Sequence, residues 1–192
     1  MAGAVIPFGD PNQPSYFYED PDDLERPLLK TMLKYWRAAR ETRSIPLYAD
    51  FNPKDVKAHL PWIVVIDALP GYADFRYRVI GTKVCDYYIA DGTGKTVTEA
   101  FGELTDLADN IKYAYRRTCE LALPIRCTGP ATTSGGVFFP AYDTLFLPYS
   151  RDGETADCIV NAFSFSHEEV RMRRAHSQTS LVNASRRKQP AE

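Results

Sequence analysis

The hydrophobic positions of this chain switch between a helical and a strand period, and the order of the switches predicts its elements. Leu28, Met32, Tyr35, Trp36 and Ala39 recur at three- and four-residue steps, one apolar stripe of a helix over about residues 21–43. Pro21 and Pro27 both suit a first helical position, but Pro27 inside a helix would kink it, so the start falls near 27. Ser44-Ile-Pro46 closes that helix. Asn52-Pro53 then predicts a short one over about 53–60, with asparagine as its cap and Pro61 as its stop. Residues 62–68 (Trp-Ile-Val-Val-Ile-Asp-Ala) are an apolar run, which suits a strand covered on both faces. After a Pro70-Gly71 turn, Phe75, Tyr77 and Val79 alternate with Arg76 and Arg78. That period of two predicts a half-buried strand over 74–80, antiparallel to the first.

Gly81 stops the second strand, and Thr82 can cap the helical turns that follow over 82–101, broken at Asp91-Gly92. A longer helix over about 104–122 shows one face with Leu104, Leu107, Ile111, Ala114, Thr118 and Leu121, and Pro124 ends it. Three strands follow over about 125–133, 137–149 and 156–166, joined by Ser134-Gly135-Gly136 and Arg151-Asp152-Gly153 turns. Pro140 and Pro148 lack the N–H for a ladder bond, which predicts a bulge at one of them. Residues 1–20, rich in Pro, Gly, Asp and Asn, are expected to be irregular. The order gives an α+β fold: a five-stranded antiparallel sheet with helices on one face and an additional N-terminal helix. The expected division is an acidic arm (1–24), the domain (25–166) and a basic flexible tail (167–192).

Composition narrows the class. With 192 residues, 44% hydrophobic and 12% aromatic, the chain can bury one sizeable core. A net charge of −2 gives no global field to attract nucleic acid. Residues 1–25 carry six acidic groups and no Lys or Arg, whereas Arg171, Arg173, Arg174, Arg186, Arg187 and Lys188 make the C-terminal tail basic. Both are expected to be solvated ends, or an acidic and a basic arm that meet a partner. No stretch approaches the ~20 apolar residues of a membrane span. The N-terminus lacks a secretory pattern, so a cytoplasmic protein is expected. Cys85, Cys119, Cys127 and Cys158 have no C-x-x-C spacing and read as small buried hydrophobes, not as zinc ligands.

Gly94-Lys95-Thr96 has the ending of a phosphate-binding loop, but Ile89 stands where that loop needs its first glycine. Asp91-Gly92-Thr93-Gly94 fits a turn that needs positive φ. Tyr87, Tyr88 and Tyr113, with Tyr77 and Phe163 from the sheet, are placed either to line a cavity for a small apolar or planar ligand or simply to fill the core. Arg76 and Arg78 are expected on the opposite sheet face, solvated or paired with acids. No nucleophile–base arrangement and no metal cluster is evident, so no catalytic residue is assigned.

In this order the chain resembles the PAS sensor fold, and more narrowly a bacterial single-domain PAS family with no effector domain attached. The residues that carry the resemblance are Leu33 with Tyr35-Trp36, Pro46 with Asp50 and Pro53, Phe75-Arg-Tyr-Arg78 with Gly81-Thr82, Thr93-Gly94, and Leu145, Leu147-Pro148 and Gly153. It spans about residues 25–166 and implies a non-enzymatic sensor that binds a small molecule or docks signalling proteins such as kinases or cyclases. It fixes no ligand or cofactor. Some PAS proteins ligate haem through a histidine, but His59, His167 and His176 fall at element ends or in the tail. Cys85 lies near where photosensory relatives bond flavin, without the surrounding polar motif. The Trp36 helix is expected to pack on the sheet's outer face and also to contribute to a homodimer. Two alternatives remain. One is a ketosteroid-isomerase-like cone-fold enzyme using Asp86, Asp143 or Asp157, disfavoured because two strands precede the main helix. The other is a membrane-surface adaptor acting through the basic tail.

Overall fold

The computed structural model describes residues 5–8, 15–87, 92–102, 104–134 and 137–165. Among them, the main antiparallel sheet is built from β1 (Val5–Phe8), β2 (Ser15–Glu19), β3 (Ile63–Ala68), β4 (Phe75–Ile80), β5 (Ile125–Gly129), β8 (Tyr142–Ser150) and β9 (Ala156–Phe165), in the order β1-β2-β5-β8-β9-β3-β4. A separate two-stranded ribbon pairs β6 (Thr132–Ser134) with β7 (Val137–Phe139). The five strands predicted downstream of residue 60 are therefore present. The sheet is wider than expected because residues 5–8 and 15–19, predicted irregular, form a hairpin along β5. Ser15–Glu19 (Ser-Tyr-Phe-Tyr-Glu) has β-prone aromatics, and Phe17 is buried in the core. The composition of the flanking residues masked that short strand.

Among the described residues, four α-helices cover the sheet: α1 (Pro27–Arg40), α2 (Thr82–Tyr87), α3 (Val97–Phe101) and α4 (Thr105–Leu121). Pro27 does occupy the first turn of α1. The buried stripe of α1 is Leu29, Met32, Leu33 and Trp36, rotated by a residue from the expected one, with Leu28 and Tyr35 half-buried at its rim. It packs on Val65, Leu145, Leu147, Cys158, Val160 and Ala162, while α2, α3 and α4 cover the opposite, inner face. Trp36 donates its indole N–H to the carbonyl of Pro148 at 2.6 Å. That carbonyl points off β9, and so must the missing N–H of Pro148, which lies beyond the last β5–β8 pair, Ile125 with Phe146. The proline thus costs the ladder nothing.

Pro140 is where the predicted 137–149 strand divides into β7 and β8, and the predicted 125–133 strand divides likewise after Gly129. The expected 53–60 helix is two 3-10 turns, Pro53–Val56 and Leu60–Trp62, the first capped by Asn52, whose side chain accepts from the Lys54 N–H. In β4 the strict alternation breaks. Val79 pairs with Val65 and Tyr77 with Ile66, leaving Arg78 as the extra residue of a bulge. Phe75, Tyr77 and Ile80 face inward as a result, and Val79 is 49% exposed. Gly81 begins the turn into α2 for a packing reason: a Cβ there would lie within 2.6 Å of the Leu60 carbonyl oxygen and closer still to that of Pro61.

Candidate functional site

The inner core between the sheet and α2–α4 is apolar except at its centre. Strand parity sends Thr144 and Phe146 of β8, and Ile159, Asn161 and Phe163 of β9, into that space. Thr144 and Asn161 are buried, at 1% and 0% exposure. The Thr144 hydroxyl lies 2.5 Å from Asn161 Oδ1 and 2.9 Å from the Ala162 carbonyl, to which it donates its one proton in a shared bond. Tyr115 of α4 and Tyr77 of β4 complete the group. Burial pushes the Tyr115 phenol well above its ordinary value, a rise opposed by the neighbouring Tyr77 and Asn161 dipoles. The Asn161 side chain, sealed from solvent, thus meets both the Thr144 hydroxyl and the Tyr115 phenol.

Aromatic rings flank this polar centre. Tyr115 meets Phe75 and Phe146 edge-on at centroid distances of 5.4 and 5.5 Å. Towards the other end, Trp62 stacks on Tyr87, and Phe165 sits 5.5 Å from Tyr87 and 5.6 Å from Phe163. Of the residues singled out from the sequence, Tyr77, Tyr87 and Phe163 therefore share the inner core. Tyr113 does not join them: the inward arc of α4 is Ala108, Ile111, Ala114, Tyr115, Thr118 and Cys119, and Tyr113 is 43% exposed, leaning on Phe17. Tyr88 lies outside the described residues. Tyr115, Thr144 and Asn161 were not singled out. Their signals were a tyrosine four residues after Ile111, a threonine two residues before Phe146 and an asparagine within the apolar run Ile159–Phe163.

Charge is confined to other places. Asp143 pairs with Arg126 through two 2.9 Å contacts on the opposite face, where the guanidinium also lies over Tyr18. Asp67 accepts from both Arg78 and Arg151, and Arg151 also binds Asp157. Arg78 further covers the Tyr48 ring at 4.8 Å, so it meets the expectation of a paired residue on the outer face. Arg76 instead donates to the Gly94 carbonyl. Asp86 is bonded to Lys83 at the surface. None of the three carboxylates that a cone-fold enzyme would need is aimed into the inner core. No three His, Cys, Asp or Glu side chains cluster as a metal site among the described residues. Cys119, Cys127 and Cys158 are buried free thiols. Burial pushes Cys119 and Cys158 up to about 12 and raises Cys127 as well, so they behave as apolar residues. Cys85 is half-buried.

The Gly94–Thr96 segment is structural. Gly94 adopts φ +86°, its N–H donates to the Tyr77 carbonyl, and the Tyr77 N–H donates to Lys95. Thr96 caps α3: its hydroxyl accepts from the Glu99 N–H while the Glu99 carboxylate accepts from the Thr96 N–H. Groups that a phosphate loop would turn towards a nucleotide are engaged in covering the β4 edge. A family model described as PAS domain matches residues 24–163. The chain belongs to the PAS-domain family. The β1–β2 hairpin precedes the matched stretch, so it is an addition to the part the PAS domain accounts for. PAS domains serve in general as sensory and regulatory, non-enzymatic modules. Comparison with curated proteins and with solved structures returns no match. No helix among the described residues of this PAS domain is long and apolar enough to cross a membrane.

Proposed function

We propose that this PAS domain is a cytoplasmic, non-enzymatic regulator that senses a small molecule in its inner core and passes the state on to partner signalling proteins such as kinases or cyclases. The observation that carries this reading is the polar centre of Tyr77, Tyr115, Thr144 and Asn161 within an aromatic core that holds no ionised side chain among the described residues. A core needed only for stability gains nothing from such a group, since buried polar atoms without full partners cost stability. Tyr87 and Phe163 supply ring surface beside it. A ligand there shifts the protein only through unequal affinity for two conformations. The elements next to it, α2, α3 and α4, are the parts that would respond.

Partner docking and a homodimer belong to the same reading. The apolar stripe of α1 is spent on its own sheet, so a dimer contact uses the outward flank of α1 with Leu28 and Tyr35 at the stripe's rim. Native mass spectrometry of the purified protein tests the sensor role directly: a stoichiometric small-molecule adduct is expected. A core that stays empty there and across a broad ligand screen leaves docking alone. Light scattering at high micromolar concentration tests the dimer, and a monomer would rule it out.

A further inference from the structure

We propose that the β1–β2 hairpin is a latched strap, held to α4 in the closed chain and, once unlatched, exchanged with the hairpin of a second copy across the β5 edge. The inference does not depend on what the inner core binds. The hairpin precedes the stretch that matches the PAS domain, so the domain's own sheet ends at β5. β2 covers that edge in the register Tyr16 to Thr128, Phe17 to Cys127 and Tyr18 to Arg126, and β1 pairs with β2 alone. Within β2 only Phe17 is buried; Ser15, Tyr18 and Glu19 are half-buried and Tyr16 is exposed. A two-stranded hairpin anchored by one ring lies at the low end of local stability.

Two contacts with α4 close the strap. The Arg117 guanidinium donates twice to Glu19 Oε1, at 2.8 and 3.1 Å, and one turn earlier Tyr113 leans on Phe17 with ring centroids 5.7 Å apart. The joint to α1, residues 20–26, is tied down as well: Arg37 pairs with Asp20 and Asp22, and Asp20 is held at φ +44°. The contacts of β2 with β5 and α4 all run between hairpin and domain, so they re-form unchanged on another copy's domain. Each opening bares one free strand and one free edge together, and the strand that fits that edge here is β2 itself. Extended, the joint spans roughly 23 Å, about five strand spacings, enough to reach a neighbouring edge. Plain addition at β1 is closed off. The Asp20 N–H donates to the Pro124 carbonyl, which turns the main-chain groups of Tyr16 and Tyr18 towards β5 and those of Ser15 and Phe17 towards β1. Those of Val5 and Pro7 then face away from β2, and Pro7 has no N–H to offer a further strand.

Two single variants of the full chain, Tyr16→Cys and Thr128→Cys, test the exchange. They are mixed under mild oxidation at about 1 mM, the range of a short joint's effective concentration. Positions 16 and 128 lie opposite each other, within disulfide reach. Neither variant holds both cysteines, so a 16–128 link, identified by mass spectrometry of the joined peptides, forms only when β2 of one copy lies on β5 of another. The link is expected in the mixture and in neither variant alone. Adding Arg117→Glu to both sets two carboxylates together at the latch, and the fraction linked at a fixed time is expected to rise about tenfold. Glu19→Arg together with Arg117→Glu is expected to return it to the starting level. Absence of the link from every mixture overturns exchange. A dimer in light scattering without the link, or binding of a free peptide of residues 13–20 to the Arg117→Glu protein without it, overturns exchange as well. A yield that ignores Arg117→Glu, or a rise that the paired reversal does not undo, overturns the latch. Should Arg117→Glu fail to fold, Glu19→Gln takes its place, with a rise of about threefold expected.

Discussion

Gly81 and Gly129 both lack room for a side chain, and they differ in what occupies the space. At Gly81 the obstacle is main chain, the carbonyls of Leu60 and Pro61; at Gly129 it is the ring of Tyr142, whose hydroxyl lies 3.1 Å from the Ser15 hydroxyl. Backbone cannot step aside, whereas a ring can swing out. Gly81→Ala is expected to lower stability by about 2–3 kcal/mol and Gly129→Ala by less, as overpacking costs typically run, measured by urea unfolding. A larger loss at Gly129 would show that the Tyr142–Ser15 contact matters more than the Gly81 approach. Asp152 makes a second residue-scale case. The N–H groups of Thr155 and Glu154 and the Ser150 hydroxyl all donate to its carboxylate, which holds its pKa down to about 2 from an ordinary 3.8. Because the folded value is the lower one, its contribution is complete above about pH 4 and is lost as pH falls towards 2. In the folded protein the amide signals of Glu154 and Thr155 should titrate together with a midpoint near pH 2, and Asp152→Asn should abolish the step.

At the scale of elements, α1 shows how a helix stripe is assigned by packing. Its hydrophobic period was plain, but Leu28 and Leu29 both suit a stripe, and the sheet's outer face selected Leu29, Met32, Leu33 and Trp36. Trp36 also ties the helix to β8 through Pro148. Trp36→Phe keeps most of the ring but leaves that carbonyl without its donor, an expected loss of about 1–3 kcal/mol. Hydrogen exchange should then quicken in α1 more than in α4; equal quickening in both helices would mean that the bond does not anchor α1 specifically. In β4 the alternation read from the sequence holds through Tyr77 and fails at Val79, because a bulge at Arg78 turns the strand by one residue. Such an inserted residue leaves no mark in hydrophobicity, since Val79 and Ile80 are both apolar. The inward placing of Tyr115 was within reach of the helical period, but Tyr113 is also a tyrosine on the same helix, and only the sheet decides which arc faces it.

For the whole molecule, the main departure from expectation is the β1–β2 hairpin. It lays β2 along β5, buries Phe17 at 1% exposure in the inner core and ties Glu19 to Arg117 of α4. Removing residues 1–20 should cost at least the ~3 kcal/mol of a deleted buried phenylalanine and uncover the β5 edge, so the truncated chain should melt lower and self-associate. An unchanged melting temperature would make the hairpin an ornament to the domain. The outer-face ion pairs add little beside this, as partly exposed pairs do. What the sequence determined by itself was α1, the five strands β3, β4, β5, β8 and β9 with the long helix α4 between the first two and the last three, and the turns at Gly94 and Arg151–Gly153, because these follow from local period and turn chemistry. What only the tertiary structure decided was the pairing of a short aromatic strand with β5, the bulge that turns Val79 outward, and the meeting of Tyr77, Tyr115, Thr144 and Asn161 in one place. Each of those depends on contacts between residues far apart in the chain, where the sequence pattern carries no distance.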